Sequence, residues 1–165
     1  MTLAEAAAQA DTLAEEGKER ELADLRREWE DEVEAAARSA DYRERVVAYR
    51  ALGQFRFRQK IELLGRGLDD ESPACRGSAL ISLESLSRDA PGAVNSQRSV
   101  LHRLATTDDN QAVRRLAIVT LRNGSAHRDT IVLLEGLGED DRLERELRET
   151  ATKVAAGLKK KGRAG

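Results

Sequence analysis

Apolar side chains recur every three or four residues along almost the whole chain, which is the spacing of helices that bury one face. The first two stripes are Leu3, Ala7, Ala10 and Ala14, and then Leu22, Leu25, Trp29, Val33 and Ala36. Aromatic residues make up only 3% of the 165 residues. Because β-sheets favour aromatic and β-branched side chains, the pattern predicts an all-α protein.

Polar turn signals divide this pattern into nine predicted helices. The signals are a capping box at Asp41–Glu44, a helix start at Ser72-Pro73, a left-handed helix end at Asn123-Gly124 and a second capping box at Asp141–Glu144. The predicted helices span about 2–16, 18–39, 41–53, 55–68, 73–87, 95–105, 111–122, 126–137 and 141–158. Short turns make neighbouring helices antiparallel, so we expect four antiparallel helix pairs preceded by one extra helix.

An arginine pattern recurs in the second helix of each predicted pair. Its four copies are Glu44-Arg45-x-x-Ala48, Cys75-Arg76-x-x-Ala79, Val113-Arg114-x-x-Ala117 and Leu147-Arg148-x-x-Ala151. The small alanine lets two helices approach closely, and an apolar residue usually follows one turn later to fill the groove between them. A turn with aspartate precedes each copy, so we expect each arginine to lie beside a turn aspartate and to stabilise the stacking of repeats.

Two segments carry the fuller pattern of a known repeat. The segment Leu63-Leu-x-x-x-Leu-Asp-Asp-x-x-x-x-Cys-Arg-x-x-Ala-x-x-x-Leu83 and the similar segment from Val100 to Leu121 resemble HEAT repeats. They are most similar to the short repeats of bacteria, archaea and phycobilisome-lyase-like proteins, and the resemblance covers residues 41–158. It implies a short right-handed α-solenoid in which the four arginines are structural. Glu44 and Ala155 depart from the pattern in the two terminal repeats.

Charge is segregated along the chain, although the net charge is only −2. Residues 1–41 carry 5 basic and 13 acidic side chains, whereas residues 142–165 carry 8 basic and 3 acidic ones. We therefore expect three regions: acidic helices at 1–40, the second of which is the first helix of the opening repeat, HEAT-like repeats at 41–158, and a basic disordered tail at 159–165. Such a distribution excludes a globally basic nucleic-acid-binding protein and allows self-association.

Residue counts and hydropathy exclude several kinds of site. One cysteine cannot form an intrachain disulfide, and together with two histidines it is too few for a zinc site built on those residues. No apolar run approaches the ~18 residues of a membrane span, and the first residues lack the pattern of a signal peptide. We therefore expect a cytoplasmic protein without metal, cofactor or small-molecule substrate.

The residues that could carry catalysis have simpler structural explanations. Cys75 occupies the repeat position of Val113 and Leu147, so we expect it in the core. His102 and His127 show no metal-binding spacing, so we expect them at a surface or a turn. Carboxylates around Trp29 at Glu28, Glu30, Asp31, Glu32 and Glu34 are expected on the solvated side of a helix, with an acidic docking face as the alternative. No catalytic residue is predicted.

Two functions remain open from the sequence. The first is a non-enzymatic scaffold that binds a protein, such as an amphipathic helix or an acidic segment, through the second helices of the pairs. Its predicted contacts are Tyr49, Arg50, Arg115, Ile118, Arg122 and Arg145. The alternative is a nucleic-acid-binding solenoid that uses the basic patch Arg56, Arg58, Lys60, Lys159, Lys160 and Lys161. On a helix over 55–68, Arg56 and Lys60 would share one face, and Phe57 would lie in the core.

Overall fold

Every regular element in residues 1–164, the part of the chain that this computed structural model describes, is a helix. The α-helices are α1 (Leu3–Glu15), α2 (Glu19–Ala37), α3 (Tyr42–Gln54), α4 (Ile61–Leu68), α5 (Pro73–Ser87), α6 (Pro91–Asn95), α7 (Arg98–Thr107), α8 (Gln111–Leu121), α9 (Arg128–Gly138) and α10 (Arg145–Ala164). The all-α prediction is confirmed. None of these helices combines the length and the apolar character needed to cross a bilayer.

The helix predicted over 55–68 is wrong in its first half. Phe55 ends α3, Arg56 adopts a left-handed backbone with φ 59°, and a 3-10 turn over Arg58–Lys60 leads into α4. Phe55 and Phe57 are both buried, with ring centroids 5.3 Å apart. A continuous helix would point these two side chains about 200° apart. The break lets both rings enter the same core, and Phe57 is a core residue as predicted.

The helix start predicted at Asp41 is confirmed, and the side chains of both Asp41 and Asn110 cap their helices. Asp41 accepts a hydrogen bond from the Arg43 N–H at 2.9 Å, and Asn110 accepts one from the Val113 N–H at 3.1 Å. The left-handed end predicted at Asn123-Gly124 is wrong. Among the described residues, a positive φ occurs only at Arg56 and at Gly17, which follows the end of α1.

The C-terminal predictions also need two corrections. Asp141 does not cap a helix, because α10 begins at Arg145 and the preceding turn is held by Asp140, which accepts hydrogen bonds from Arg142. The tail predicted to be disordered at 159–165 is helical as far as Ala164, and Gly165 lies outside the described residues. Leu158 is buried near the start of this segment, which anchors the last turns of α10.

The first compact unit, unit 1, comprises Met1–Leu86. In it α1 packs against both α2 and α3. Helices α3 and α5 lie side by side and run in the same direction, because Cys75 contacts the Tyr42 carbonyl and Ser82 contacts the Tyr49 carbonyl, each pair 33 residues apart. The core of unit 1 contains Tyr49, Phe55 and Phe57 together with aliphatic side chains of all five helices.

The second compact unit, unit 2, begins at Ser87. Consecutive helices α7 and α8 pack against each other, and so do α9 and α10. Helices α8 and α10 also lie side by side, as do α7 and α9, where His102 bonds Thr130. The core of unit 2 is aliphatic, and its fully or almost fully buried side chains include Leu101, Ala117, Ile118, Leu134, Ala151 and Leu158.

Candidate functional site

Arg45 of α3 forms a largely buried ion pair with Asp70, which lies between α4 and α5. Its Nε and Nη2 donate to the two carboxylate oxygens of Asp70 at 2.8 and 3.0 Å, and Nη1 donates to the carbonyls of Ser39 and Ala40. The Arg45 and Asp70 side chains are 12% and 7% exposed. Burial alone would raise the pKa of Asp70, but hydrogen bonds from Arg45 and from the Ser72 N–H lower it below its ordinary value. Asp70 is therefore a charged acceptor at neutral pH.

The other three repeat arginines bind backbone carbonyls that precede their own helices. Arg76 donates to the carbonyl of Asp70 at 2.9 Å, Arg114 to that of Ala105 at 3.0 Å, and Arg148 to that of Leu143 at 3.1 Å. The small and apolar members of the pattern are all buried: Ala48, Cys75, Ala79, Val113, Ala117, Leu147 and Ala151. The repeat pattern thus occupies helix junctions and cores.

Cys75 lies in the core and its thiol donates to the Tyr42 carbonyl at 3.4 Å. Burial raises the pKa of this thiol above its ordinary value, which keeps it protonated near neutral pH. The side chain therefore fills space and bonds backbone in the way expected of a packed cysteine.

The two arginines of the predicted basic patch are engaged within unit 1. Arg56 donates to Asp11 Oδ1 at 2.8 Å and to the Gly53 carbonyl at 2.8 Å. Arg58 donates to the Leu86 carbonyl at 3.4 Å. The prediction that Arg56 and Lys60 share a helix face is wrong, because the chain is not helical at Arg56.

Lys60 is held by the acidic run of α2. Its ammonium is 2.9 Å from Glu30, forms a second ion pair with Glu34, and lies 5.6 Å from the centre of the Phe57 ring. Burial lowers the pKa of Lys60, but the bonds to Glu34 and Glu30 outweigh burial and raise it overall. The acidic run predicted to be solvated therefore has two kinds of carboxylate. Glu30 and Glu34 bind Lys60, whereas Glu32 is exposed.

The C-terminal lysines differ from one another in their contacts. Lys159 pairs with Glu135 of α9, and Lys161 donates to the carbonyls of Arg122 and Gly124 at 2.8 Å each. Lys160 is exposed. Lys159 and Lys161 are exposed as well, so the predicted cationic tail is presented to solvent although these two lysines are also bonded within unit 2.

Two of the predicted partner contacts are wrong. Tyr49 is 2% exposed and Ile118 is 0% exposed, so neither side chain can meet a partner without unfolding. Tyr49 instead points its hydroxyl at the Ala37 carbonyl, 3.4 Å away. Arg50 is half-buried. The remaining predicted contacts, Arg115, Arg122 and Arg145, are exposed.

Two of the exposed predicted contacts, Arg115 and Arg122, lie together on the outer face of α8. Besides Arg115 and Arg122 this face presents Leu116 and Val119, which are both partly exposed and are not among the predicted contacts. Arg115 pairs with Glu146 of α10 at one end of this face. A shallow cavity of about 190 Å³ lies there, lined by Gln111, Ala112, Arg115, Glu144, Glu146 and Leu147. The i, i+3 and i+4 spacing of 112, 115, 116, 119 and 122 is the signal that could have found this stripe.

His127 precedes α9, and His102 of α7 contacts the first turn of the same helix. His102 Nε2 is 2.8 Å from Thr130 Oγ1, and the His127 side chain caps α9 by accepting from the Asp129 N–H at 3.2 Å. Burial, followed by the positive charge of Arg98, lowers the pKa of His102. In residues 1–164, no three His, Cys, Asp or Glu side chains converge as metal ligands would.

No protein-family model, curated protein or solved structure matches this chain significantly.

Proposed function

We propose that this protein is a non-enzymatic scaffold built from HEAT-like repeats, and that it binds another protein on the exposed face of α8. A right-handed stacking of the helix pairs is part of this proposal. The proposal is supported by the way corresponding helices of successive predicted pairs lie side by side within each unit. These helices are α3 and α5 in unit 1, and α7 and α9 as well as α8 and α10 in unit 2.

The observation that carries the proposal is the composition of the α8 face. Leu116 and Val119 are partly exposed aliphatic side chains, and Arg115 and Arg122 lie about one turn to either side of Val119. Arginine beside apolar area is the composition of interface centres, where a partner can exclude water from both. We expect an amphipathic helix or an acidic segment as the ligand, because a carboxylate of such a partner can exchange with Glu146 at Arg115, where both members of the ion pair are exposed.

Nucleic-acid binding is the less favoured alternative. Arg56 and Lys60 already hold carboxylates of α1 and α2, so contact with phosphates would require them to exchange one anion for another. Backbone binding to nucleic acid would also show a steep loss of affinity with salt. That salt dependence separates the two functions.

Affinity capture from a lysate, with and without nuclease, tests the proposal when a matched pair of variants is included. Val119→Glu places a charge in the α8 face, whereas Val132→Glu places the same charge on α9 at a side chain that is 57% exposed. We expect a discrete protein to be retained by the wild type and by Val132→Glu, with at least a tenfold loss for Val119→Glu.

Two results would contradict the proposal. Equal retention of the partner by both variants would place its binding site elsewhere, and loss of the partner on nuclease treatment would favour the nucleic-acid function. Circular dichroism and melting of both variants provide the folding control.

A further inference from the structure

Unit 1 contains a second surface suited to a protein partner, an open groove between α1, α2 and α3. Its volume is about 580 Å³, and its lining residues are Thr2, Leu3, Ala4, Glu32, Ala35, Ala36, Arg43, Glu44 and Val47. It uses α1, which lies outside the repeat pattern, so it is distinct from the α8 face.

The floor of the groove is aliphatic and mostly small. Ala4 comes from α1, Ala35 and Ala36 come from α2, and Val47 comes from α3. Small side chains on a helix surface let another helix approach to the ~8–10 Å axis separation of close packing. The shape therefore suits the apolar face of a helix.

The charges on the groove wall favour a basic occupant. Arg43 also lines the groove; it is paired with Asp41 at 3.2 Å and interacts electrostatically with Glu44. Glu32 on α2 and Glu44 on α3 line the groove, and no cation of residues 1–164 lies within ion-pair distance of either carboxylate. The surrounding segment 1–41 carries 13 acidic and only 5 basic residues. An anionic ligand would be repelled here, and a cationic one attracted.

We propose that the groove binds an amphipathic helix of another protein, with aliphatic side chains against Ala35 and Ala36 and with lysine or arginine beside Glu32 and Glu44. This site goes beyond the α8 surface of the proposed function and requires no residue of that surface. The two carboxylates lie on different helices, so a bound helix with cations on both flanks can pair with both walls.

A designed peptide provides the direct probe. The peptide is helical, with leucine and alanine along one stripe and lysine on both flanks, and its control has glutamate in place of every lysine. We expect saturable binding of the lysine peptide to the full chain in fluorescence anisotropy, with an affinity at least tenfold above that of the glutamate peptide.

Three variants locate the binding. Glu32→Lys should weaken binding of the lysine peptide at least tenfold, and Glu44→Gln several-fold. Glu21→Lys makes the same charge change on an exposed position of α2, about 16 Å along the helix from Glu32, and should change the affinity less than twofold.

A larger but uncharged side chain tests whether the apolar floor of the groove contacts the peptide. Ala35→Gln extends a longer side chain into the groove and should lower the affinity for the lysine peptide at least fivefold. Ala156→Gln is the matched control on an exposed position of α10 and should leave the affinity unchanged.

Several results would overturn this site. They are the absence of saturable binding, equal binding of the two peptides, or an affinity that Glu32→Lys leaves unchanged. A wild-type dimer in sedimentation that Glu32→Lys dissociates would make a second copy of the chain the occupant instead. Val119→Glu should bind the lysine peptide normally, so a failure of the α8 surface is distinguishable from a failure of the groove.

Discussion

Units 1 and 2 contain the same arginine pattern, but they use charge between helices in different ways. In unit 1, Asp70 and Lys60 belong to interhelical ion pairs and their side chains are only 7% and 9% exposed. In unit 2, the interhelical pairs Arg115–Glu146 and Lys159–Glu135 have all four side chains at least 42% exposed. A buried charge depends on its partner, whereas water can replace the partner of an exposed one. We therefore expect unit 1 to be the more sensitive to loss of single charges.

The largest expected effect comes from removing Arg45. Arg45→Met leaves the Asp70 carboxylate, whose side chain is 7% exposed, without its main partner, so we expect a loss in the free energy of unfolding that clearly exceeds the loss at an exposed pair. Arg115→Met makes the same change at an exposed pair on α8 and should cost less than about 1 kcal/mol. Chemical denaturation of the two variants measures the difference.

A double variant shows whether the uncompensated charge is the cause. Arg45→Met combined with Asp70→Leu removes both charges, and it should recover most of the stability lost in Arg45→Met alone. Equal losses for Arg45→Met and Arg115→Met, or no recovery in the double variant, would show that burial does not distinguish the two units.

Ser82 and Thr120 give the next comparison, since each lies six residues after a repeat arginine and each is fully buried. The Ser82 hydroxyl accepts from the Gly53 N–H at 3.0 Å and donates to the Tyr49 carbonyl at 2.6 Å, which joins α5 to α3. The Thr120 hydroxyl donates to the Leu116 carbonyl within its own helix.

Ser82→Ala should therefore destabilise the protein by about 1–3 kcal/mol, because it removes a buried hydroxyl whose two hydrogen bonds, to the Gly53 N–H and the Tyr49 carbonyl, join α5 to α3. Thr120→Val should cost less than about 1 kcal/mol, because the Leu116 carbonyl lies within a continuous helix. Thermal unfolding of both variants measures this. A larger effect at Thr120 than at Ser82 would contradict the contrast.

Helix content could be predicted from the sequence because apolar spacing and polar caps act locally. The cap at Asp41 is fixed by its own backbone turn, and the apolar stripe of α2 follows the period of a helix. The break after α3 could not be predicted in this way. It depends on the burial of both Phe55 and Phe57, which is a property of the packed core.

The candidate surfaces were less predictable for a related reason. Periodicity places Tyr49 and Ile118 on the correct helices, but neighbouring helices decide which flank of the apolar stripe is covered. In α8, Val119 is partly exposed whereas Ile118 is buried. The groove at Glu32 was not foreseen, because it exists only where α1 lies against both α2 and α3.

A smaller effect is expected at Arg56, whose left-handed backbone lies in the aromatic turn of unit 1. Arg56→Ala and Arg56→Gly both lose the bond to Asp11, but only alanine keeps the steric cost of a positive φ. The glycine variant should therefore be the more stable by about 1 kcal/mol. At Arg122 in unit 2, where φ is −60°, the order should reverse. The same order at both positions, measured by thermal unfolding, would contradict the assigned strain.

The smallest expected effect is a difference in acid sensitivity between the units. In unit 2 the pKa of His102 is lowered by burial and by nearby Arg98 and His127, with Asp129 acting in the opposite direction. The folded state thus binds this proton less readily than the unfolded state, so the stability contributed by neutral His102 is present above about pH 6.5 and declines as the pH falls below that value.

In unit 1 the lowered pKa of Asp70 gives a different window. Its contribution to stability is present above the ordinary aspartate value of about 3.9 and is lost only as the pH falls below it. Amide exchange measured from pH 7.5 down to 4.5 should show a small decline in protection at Thr130, beside His102, before any decline near Asp70. His102→Gln should abolish the early decline at Thr130 without changing the behaviour of unit 1. A common onset in both units, or an early decline that survives in His102→Gln, would mean that groups other than His102 govern the acid response, and the contrast between the two units would then be limited to their ion pairs.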